Sequence, residues 1–286
     1  MAGRMAQEAF PALKDLRAQI TLQGAFGFPF RARRNGRDVF VKVQRVREYT
    51  RRVLHELSKL PATELLALPS AHEILGEHAV TVTAWESGGD LLRVLNRGCS
   101  DGRRERLMRS VLEGVHFLHS RGLVHRDLKL ENVLVRNYDQ CVLIDLDTCE
   151  RATYVYVTGT ANYLPPTAEV QRLAHHQGLT RCERMVAVDL YALGKMFGKM
   201  QLVGSQNEDA HYVWQFWLDR DRASPTAVVK HLRRWSPAPF WRCVWWWCVE
   251  NMQALHGPRP YLKCTDEALQ IVRGRSGSRR VEAPRA

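Results

Sequence analysis

His125-Arg126-Asp127-Leu128-Lys129-Leu130-Glu131-Asn132, followed by Ile144-Asp145-Leu146-Asp147, decides how this chain is read. Taken singly, Asp and Asn are ordinary turn residues. Taken together they set carboxylates, an ammonium and an amide into one repeated frame of loop and strand. Asn132-Val133-Leu134-Val135 and Cys141-Val142-Leu143-Ile144 read as two short strands around the polar turn Asn137-Tyr138-Asp139. A motif claim needs its structural context to agree with its residues, and here the second aspartate follows directly on a β-rich run.

The pattern resembles the catalytic and metal-binding loops of eukaryotic-type protein kinases, H-R-D-L-x-x-x-N followed by D-F-G. The resemblance implies an α+β, two-lobed protein kinase fold with a small β-rich N-lobe and a larger, mostly helical C-lobe. It also implies a transfer chemistry that rests on positioning and charge neutralisation more than on covalent help. On that resemblance Asp127 orients the attacking hydroxyl and accepts its proton, and Lys129 sits beside the γ-phosphate of ATP. Asn132 and Asp145 hold Mg2+ between the phosphates. Leu146-Asp147 stands where the family has Phe-Gly. Leucine can replace a packing residue, but Asp147 removes the freedom a glycine gives the loop. It either stiffens the loop or adds a third carboxylate near the metals.

Upstream, Leu22-Gln23-Gly24-Ala25-Phe26-Gly27 resembles the glycine-rich loop with its first glycine replaced by Leu22. Gly24 and Gly27 would let backbone N–H groups approach phosphates, although a plain hairpin explains a G-x-x-G pair equally well. Asn35-Gly36 predicts a type I′ turn between strands Phe28–Arg33 and Asp38–Gln44. Val39-Phe40-Val41-Lys42 is similar to V-A-I-K, and Lys42 would contact the α- and β-phosphates. Alternation puts Val39, Val41 and Val43 on one face, with Phe40 and Lys42 on the face toward the nucleotide. Phe40 and Pro29 replace the small and β-branched residues that wall adenine in the family. Arg47 to Leu60 reads as a helix. Within it Glu56 is the first candidate for the ion pair with Lys42 that the resemblance implies. Glu48, at the helix start where the dipole favours an acid, is the other. Two strands are expected at Ala71–Leu75 and Ala79–Trp85, followed by a hinge at Glu86-Ser87-Gly88-Gly89-Asp90. In that register Thr83 is the gatekeeper, the backbones of Ala84 and Glu86 meet adenine, Asp90 binds ribose and Leu134 floors the site.

Downstream of the hinge, a helix from Arg103 to Ser120 carries an apolar stripe of Leu107, Val111, Val115 and Leu118, closed by Gly122. Thr158-Gly159-Thr160 resembles the end of an activation segment, and Thr160 with Lys129 is the serine/threonine kinase pattern. Arg126 would meet any phosphate on that segment, with Thr153, Tyr156 and Thr158 as acceptors; a segment this short can equally be ordered without one. Glu169 is expected to pair with Arg259. Met185 to Met200 predicts a buried helix, and Asp189 within it resembles the family's central-helix aspartate, which implies that it accepts hydrogen bonds from the catalytic-loop backbone. The aromatic run from Trp214 to Trp247 reads as packing surface.

The expected organisation is an N-terminal extension (1–18), a kinase domain (19–272) and a basic disordered tail (273–286). Within the domain come an N-lobe (19–84), a hinge (84–90) and a C-lobe (91–272). A hydrophobic fraction of 45% supports a real core in 286 residues. Seven scattered cysteines show neither disulfide nor zinc spacing, which favours an intracellular setting, cytoplasm or nucleus. No run reaches the length of a membrane span. The net charge of +12 is spread as single residues and doublets, so most of it reads as solvated surface. The function expected is a serine/threonine protein kinase acting on ATP and a protein hydroxyl. A pseudokinase scaffold is the alternative, and a nucleic-acid-binding protein ranks behind both because no clear nucleic-acid motif is present.

Overall fold

The computed structural model describes residues 1–19, 27–151, 159–160, 163–164 and 181–203. The segment Thr153 to Thr158, the glycine Gly24, the Glu169–Arg259 pair, the aromatic run and the basic tail lie outside the described residues.

A five-stranded antiparallel sheet forms the small lobe, in the order β1-β2-β3-β5-β4. Its strands are β1 (Lys14–Ala18), β2 (Phe28–Arg34), β3 (Arg37–Arg45), β4 (Ala71–Leu75) and β5 (His78–Ala84). Asn35 and Gly36 both take positive φ, 52° and 77°, as a type I′ hairpin requires, and they set Arg34 opposite Arg37. Because side chains alternate along β3, Val39, Val41 and Val43 all point into one apolar cluster. Helix α1 (Ala2–Ala9) closes over that cluster through Ala6, which is fully buried.

The sheet therefore begins at Lys14, ahead of the boundary expected at Gln19, and residues 1–18 are built into the lobe. The sequence Lys-Asp-Leu-Arg-Ala conceals this strand, since at a sheet edge only Leu16 is even half-buried.

Helix α2 (Thr50–Ser58) is shorter than the Arg47–Leu60 expectation. Its Val53 and Leu57 join a large cluster that also holds Leu146 and Cys149. Beyond the hinge come α3 (Leu91–Asn96), α4 (Asp101–His119) and the ribbon strand β6 (Leu123–Val124). The hairpin β7 (Val133–Arg136) and β8 (Gln140–Leu143), strand β9 (Glu150–Arg151) and helix α5 (Arg181–Leu202) follow. Gly122 adopts φ 70° after α4, the left-handed conformation expected of a helix stop. Strands β6 and β9 pair Leu123 with Arg151 and Val124 with Glu150, which closes the catalytic loop at its base. Among the described residues no helix is long and apolar enough to cross a membrane.

The hinge is fastened to the large lobe by backbone. Val135 N–H donates to Gly89 O at 3.0 Å, and Asp90 bridges Leu134. A methyl group at Gly88 would lie 1.6 Å from the Val135 carbonyl oxygen. Gly88→Ala is therefore expected to lower stability by about 2 kcal/mol or more, because backbone must move. Gly102→Ala, on an exposed turn of α4, should stay within about 1 kcal/mol and on the stabilising side. Urea midpoints of the two variants check this, and equal midpoints would refute the hinge packing.

Candidate active site

A buried carboxylate sets the catalytic loop. Asp189 of α5 is 1% exposed, and its oxygens accept the His125 N–H and the Arg126 N–H, each at 2.8 Å. His119 Nε2 of α4 lies 2.9 Å from the same carboxylate. Burial alone would raise the Asp189 pKa, but the His119 contact and the loop N–H groups outweigh it and hold the carboxyl below its usual range. These bonds keep Arg126 at φ 69°, a conformation that side chains other than glycine rarely adopt.

That backbone delivers Asp127 into a network. Its Oδ1 accepts the Thr160 N–H at 2.8 Å and the Thr160 hydroxyl at 2.7 Å. Its Oδ2 accepts Lys129 Nζ at 2.9 Å and Asn132 Nδ2 at 3.0 Å. Lys129 Nζ also reaches Thr160 Oγ1 at 2.9 Å, so threonine, lysine and aspartate form a closed triangle. Burial opposes ionisation of Asp127, but Lys129 and Thr160 win and the carboxyl sits below its usual range.

From the other lobe comes Lys42, paired across the sheet with Pro29 and Thr81. Its Nζ lies 2.9 Å from Asp145 Oδ1 and also contacts Asp147 Oδ2. Gln44 Nε2 donates to Asp147 Oδ1 at 3.2 Å. Burial would lower the Lys42 pKa, and the two carboxylates more than reverse that. Lys42 likewise overcomes the burial of Asp145 and holds its carboxyl low. Asp147 is pushed up, because burial and the neighbouring Asp145 charge exceed the help from Lys42.

A family model described as "Protein kinase domain" matches residues 23–215, well over half of the chain. The chain belongs to the protein kinase family. Curated relatives include "Serine/threonine-protein kinase Kist" of Mus musculus, 34% identical over 152 residues covering 50% of this chain and 33% of that one. They also include "Dual serine/threonine and tyrosine protein kinase" of Tetraodon nigroviridis, 32% identical over 110 residues, 38% of this chain and 11% of that one. The protein of the same name from Danio rerio is 28% identical over 147 residues, 46% of this chain and 15% of that one. The chain spans a third or less of the length of these relatives.

Within this protein kinase, three of the expected residues have partners inside the chain. Glu56 does not meet Lys42. Its oxygens take Lys59 Nζ and the Arg151 guanidinium of β9, each at 2.9 Å, while Lys42 has Asp145 and Asp147 beside it. Asp90 caps α3, its Oδ1 accepting the Arg93 N–H at 2.7 Å. Arg126, expected to meet a phosphate on a segment outside the described residues, is paired within the site: its NH2 group lies 3.2 Å from Glu150, and its Nε donates to Thr148 O at 2.6 Å.

The remaining expected positions lie on the sheet and along the hinge. Thr83 lies opposite Phe40 and Ala84 opposite Val39. Glu86 is tied to Arg136 by an ion pair, and Leu134 is half-buried beside Asp90. Gly27 has φ 152°, and a methyl there would lie 2.8 Å from Val43 O and 3.3 Å from the Lys42 side chain. The Phe40 ring sits 6.4 Å from Trp85, and Arg31 lies over Trp85 at 4.8 Å. Sequence reasoning missed Gln44, Arg52, Glu150 and Arg151. The i,i+4 pair Arg52 and Glu56, mirrored in charge by Glu150-Arg151, was the available signal.

Asp189→Asn is expected to cost about 3 kcal/mol at pH 7, since it leaves loop N–H groups facing an amide in place of a charge. The sign with pH follows from the lowered pKa. The Asp189 contribution is complete above the unfolded value near 3.9 and is lost as pH falls through the lower folded value. Denaturation at pH 7 and pH 3 should show the gap between wild type and variant narrowing in acid; a constant gap would refute it.

Proposed function

We propose that this protein kinase transfers the γ-phosphate of ATP to serine or threonine hydroxyls of a protein, with Mg2+ as the metal. One observation carries the reading: Asp127 is held ionised and aimed by Lys129, Asn132 and Thr160. A carboxylate so held can align an incoming hydroxyl and take its proton as transfer proceeds. Lys129 is then close enough to share charge with the transferred group, and Lys42 serves the α- and β-phosphates. The Lys129–Thr160 contact supports a serine/threonine acceptor through the resemblance already drawn, although relatives of both specificities match.

Asn132 commits its amide nitrogen to the Asp127 carbonyl at 2.8 Å and to the Asp127 carboxylate at 3.0 Å. Its carbonyl oxygen and the Asp145 carboxylate remain as oxygen donors of the kind a hard divalent cation takes. The residues therefore fit Mg2+, which when bound neutralises phosphate oxygens. For the nucleoside we assign the backbones of Ala84 and Glu86, with Thr83 and Leu134 lining the ring and Gly27, with Gly24, beside the phosphates. Asp90, whose Oδ1 caps α3, is assigned to the ribose through its other oxygen. ATP chemistry on protein hydroxyls goes with an intracellular setting, in cytoplasm or nucleus.

A pseudokinase scaffold is the second reading, favoured by Phe40 on the nucleotide side of β3. Radiolabel transfer from ATP with magnesium separates the two. Wild type should label a general protein substrate, and Asp127→Asn and Asp145→Asn should each drop the rate about a hundredfold or more. Lys42→Met should abolish transfer, and it should also lower the unfolding midpoint, because Asp145 and Asp147 lose the cation between them. Label on phosphotyrosine would overturn the acceptor assignment, and an unlabelled product with wild type would leave the scaffold reading.

A further inference from the structure

The lysine that faces the phosphates has changed its carboxylate partner. We propose that Asp147, braced by Gln44, is the positioning residue for Lys42, in the role that Glu56 does not fill. The proposal rests on the kinase reading above for its catalytic meaning, and on geometry for the contact itself.

Lys42 and Gln44 are two residues apart on β3, so both side chains leave the same face of the strand. Both end on Asp147. Lys42 Nζ contacts Oδ2, and Gln44 Nε2 lies 3.2 Å from Oδ1. The carboxylate is thus gripped at each oxygen by one strand of the small lobe. It has little freedom of its own, because it sits in the single 3-10 turn Leu146–Thr148, closed by Cys149 N–H to Leu146 O at 2.9 Å. That turn is pinned to the catalytic loop twice: Arg126 Nε donates to Thr148 O at 2.6 Å, and Thr148 Oγ1 donates to His125 O at 2.9 Å. Leu146, 5% exposed, anchors it in the large core. Asp147 therefore carries the position of the catalytic loop directly to Lys42.

Glu56 is held away by a second set of bonds. Arg151 binds it at 2.9 Å, and one turn earlier on α2 Arg52 binds Glu150 at 3.0 Å. Bringing Glu56 to Lys42 would break the Glu56–Arg151 contact and draw α2 off Leu146 and Cys149. Asp145 also touches Lys42, but in the reading above it serves the cation. Once it does, Asp147 is the carboxylate that still holds the ammonium in place. An aspartate where the family has glycine then has a reason: it supplies from the loop what the helix withholds.

The test reads how tightly Lys42 is held, on the full chain without nucleotide. A brief pulse of a small amine-acylating ester, followed by mass spectrometry of the Lys42 peptide, gives its labelling rate relative to exposed lysines. Asp147→Asn should raise that rate about fivefold, Asp147→Glu should bring it back toward wild type, and Glu56→Gln should leave it within twofold. In transfer assays Asp147→Asn should raise KM for ATP more than it lowers kcat, because a mispositioned phosphate contact weakens binding first. Wild-type labelling of Lys42 in Asp147→Asn, or a rise in Glu56→Gln as large as in Asp147→Asn, overturns the proposal. If Asp147→Asn fails to fold, Gln44→Leu carries the test, with a rise of about twofold expected and no change overturning it. An inactive wild type would defeat the proposed function, while the labelling comparison would still decide the partner of Lys42.

Discussion

Everything in the site hangs on the carboxylate of Asp189. Burying a charge without partners is prohibitive, and here the partners are two N–H groups of the loop that must be shaped. The requirement runs both ways. The carboxylate is tolerable in the core only if the loop presents consecutive N–H groups to it. The loop tolerates Arg126 at φ 69° only if a strong acceptor rewards that conformation. Once Arg126 is bent in this way, its side chain leaves toward β9 and the next residue, Asp127, is turned toward Lys129, Asn132 and Thr160.

The same bend links the lobes. Glu150, 5% exposed, lies between two guanidinium groups, Arg126 of the loop at 3.2 Å and Arg52 of α2 at 3.0 Å. Removing one partner from a buried pair costs far more than the pair contributes net, so the three side chains act as one latch. Glu56 with Arg151 repeats the contact with charges reversed, one turn further along the helix. With Val53 and Leu57 in the core beside Leu146, α2 is fixed by packing on one side and by crossed ion pairs on the other.

What the sequence made legible were the features enforced by local rules or by a single dominant partner. Asn35-Gly36 fixed a hairpin because few residues accept two positive φ values in succession. The valines of β3 named their own face, and Leu107, Val111 and Val115 named the buried side of α4. Asp189 could be assigned its role through the resemblance to the family's central-helix aspartate, and the cost of a buried carboxylate without partners agreed with it. The features that stayed hidden were choices among several allowed partners. Glu56 had Lys42, Lys59 and Arg151 to choose from, and which cation comes nearest depends on the tilt of α2, a tertiary quantity. Asp90 offered chemistry for a ribose and for a helix start, and the structure shows it capping α3 through one oxygen. Strand β1 carries no apolar alternation, because an edge strand needs little of it.

The departures at Phe40, Glu56 and Asp147 belong to one rearrangement rather than to scattered decay. Lys42 must have a negative partner, since an ammonium enclosed without one is costly. A helix clamped to β9 through Arg52 and Glu56 cannot supply it. The turn at Leu146–Thr148 can, because it lies under β3 and is already fixed by Leu146 and Thr148. An aspartate at its centre is then required by the same latch that holds Glu56 away. Phe40 follows the same logic on the strand's other end, where its ring meets Trp85 and Arg31 caps the indole. Strand β3 thus exchanges a small residue and a helix partner for an aromatic contact at the hinge and a carboxylate from the loop. Lys42 stays in place between them, with its charge balanced by the large lobe instead of by its own helix.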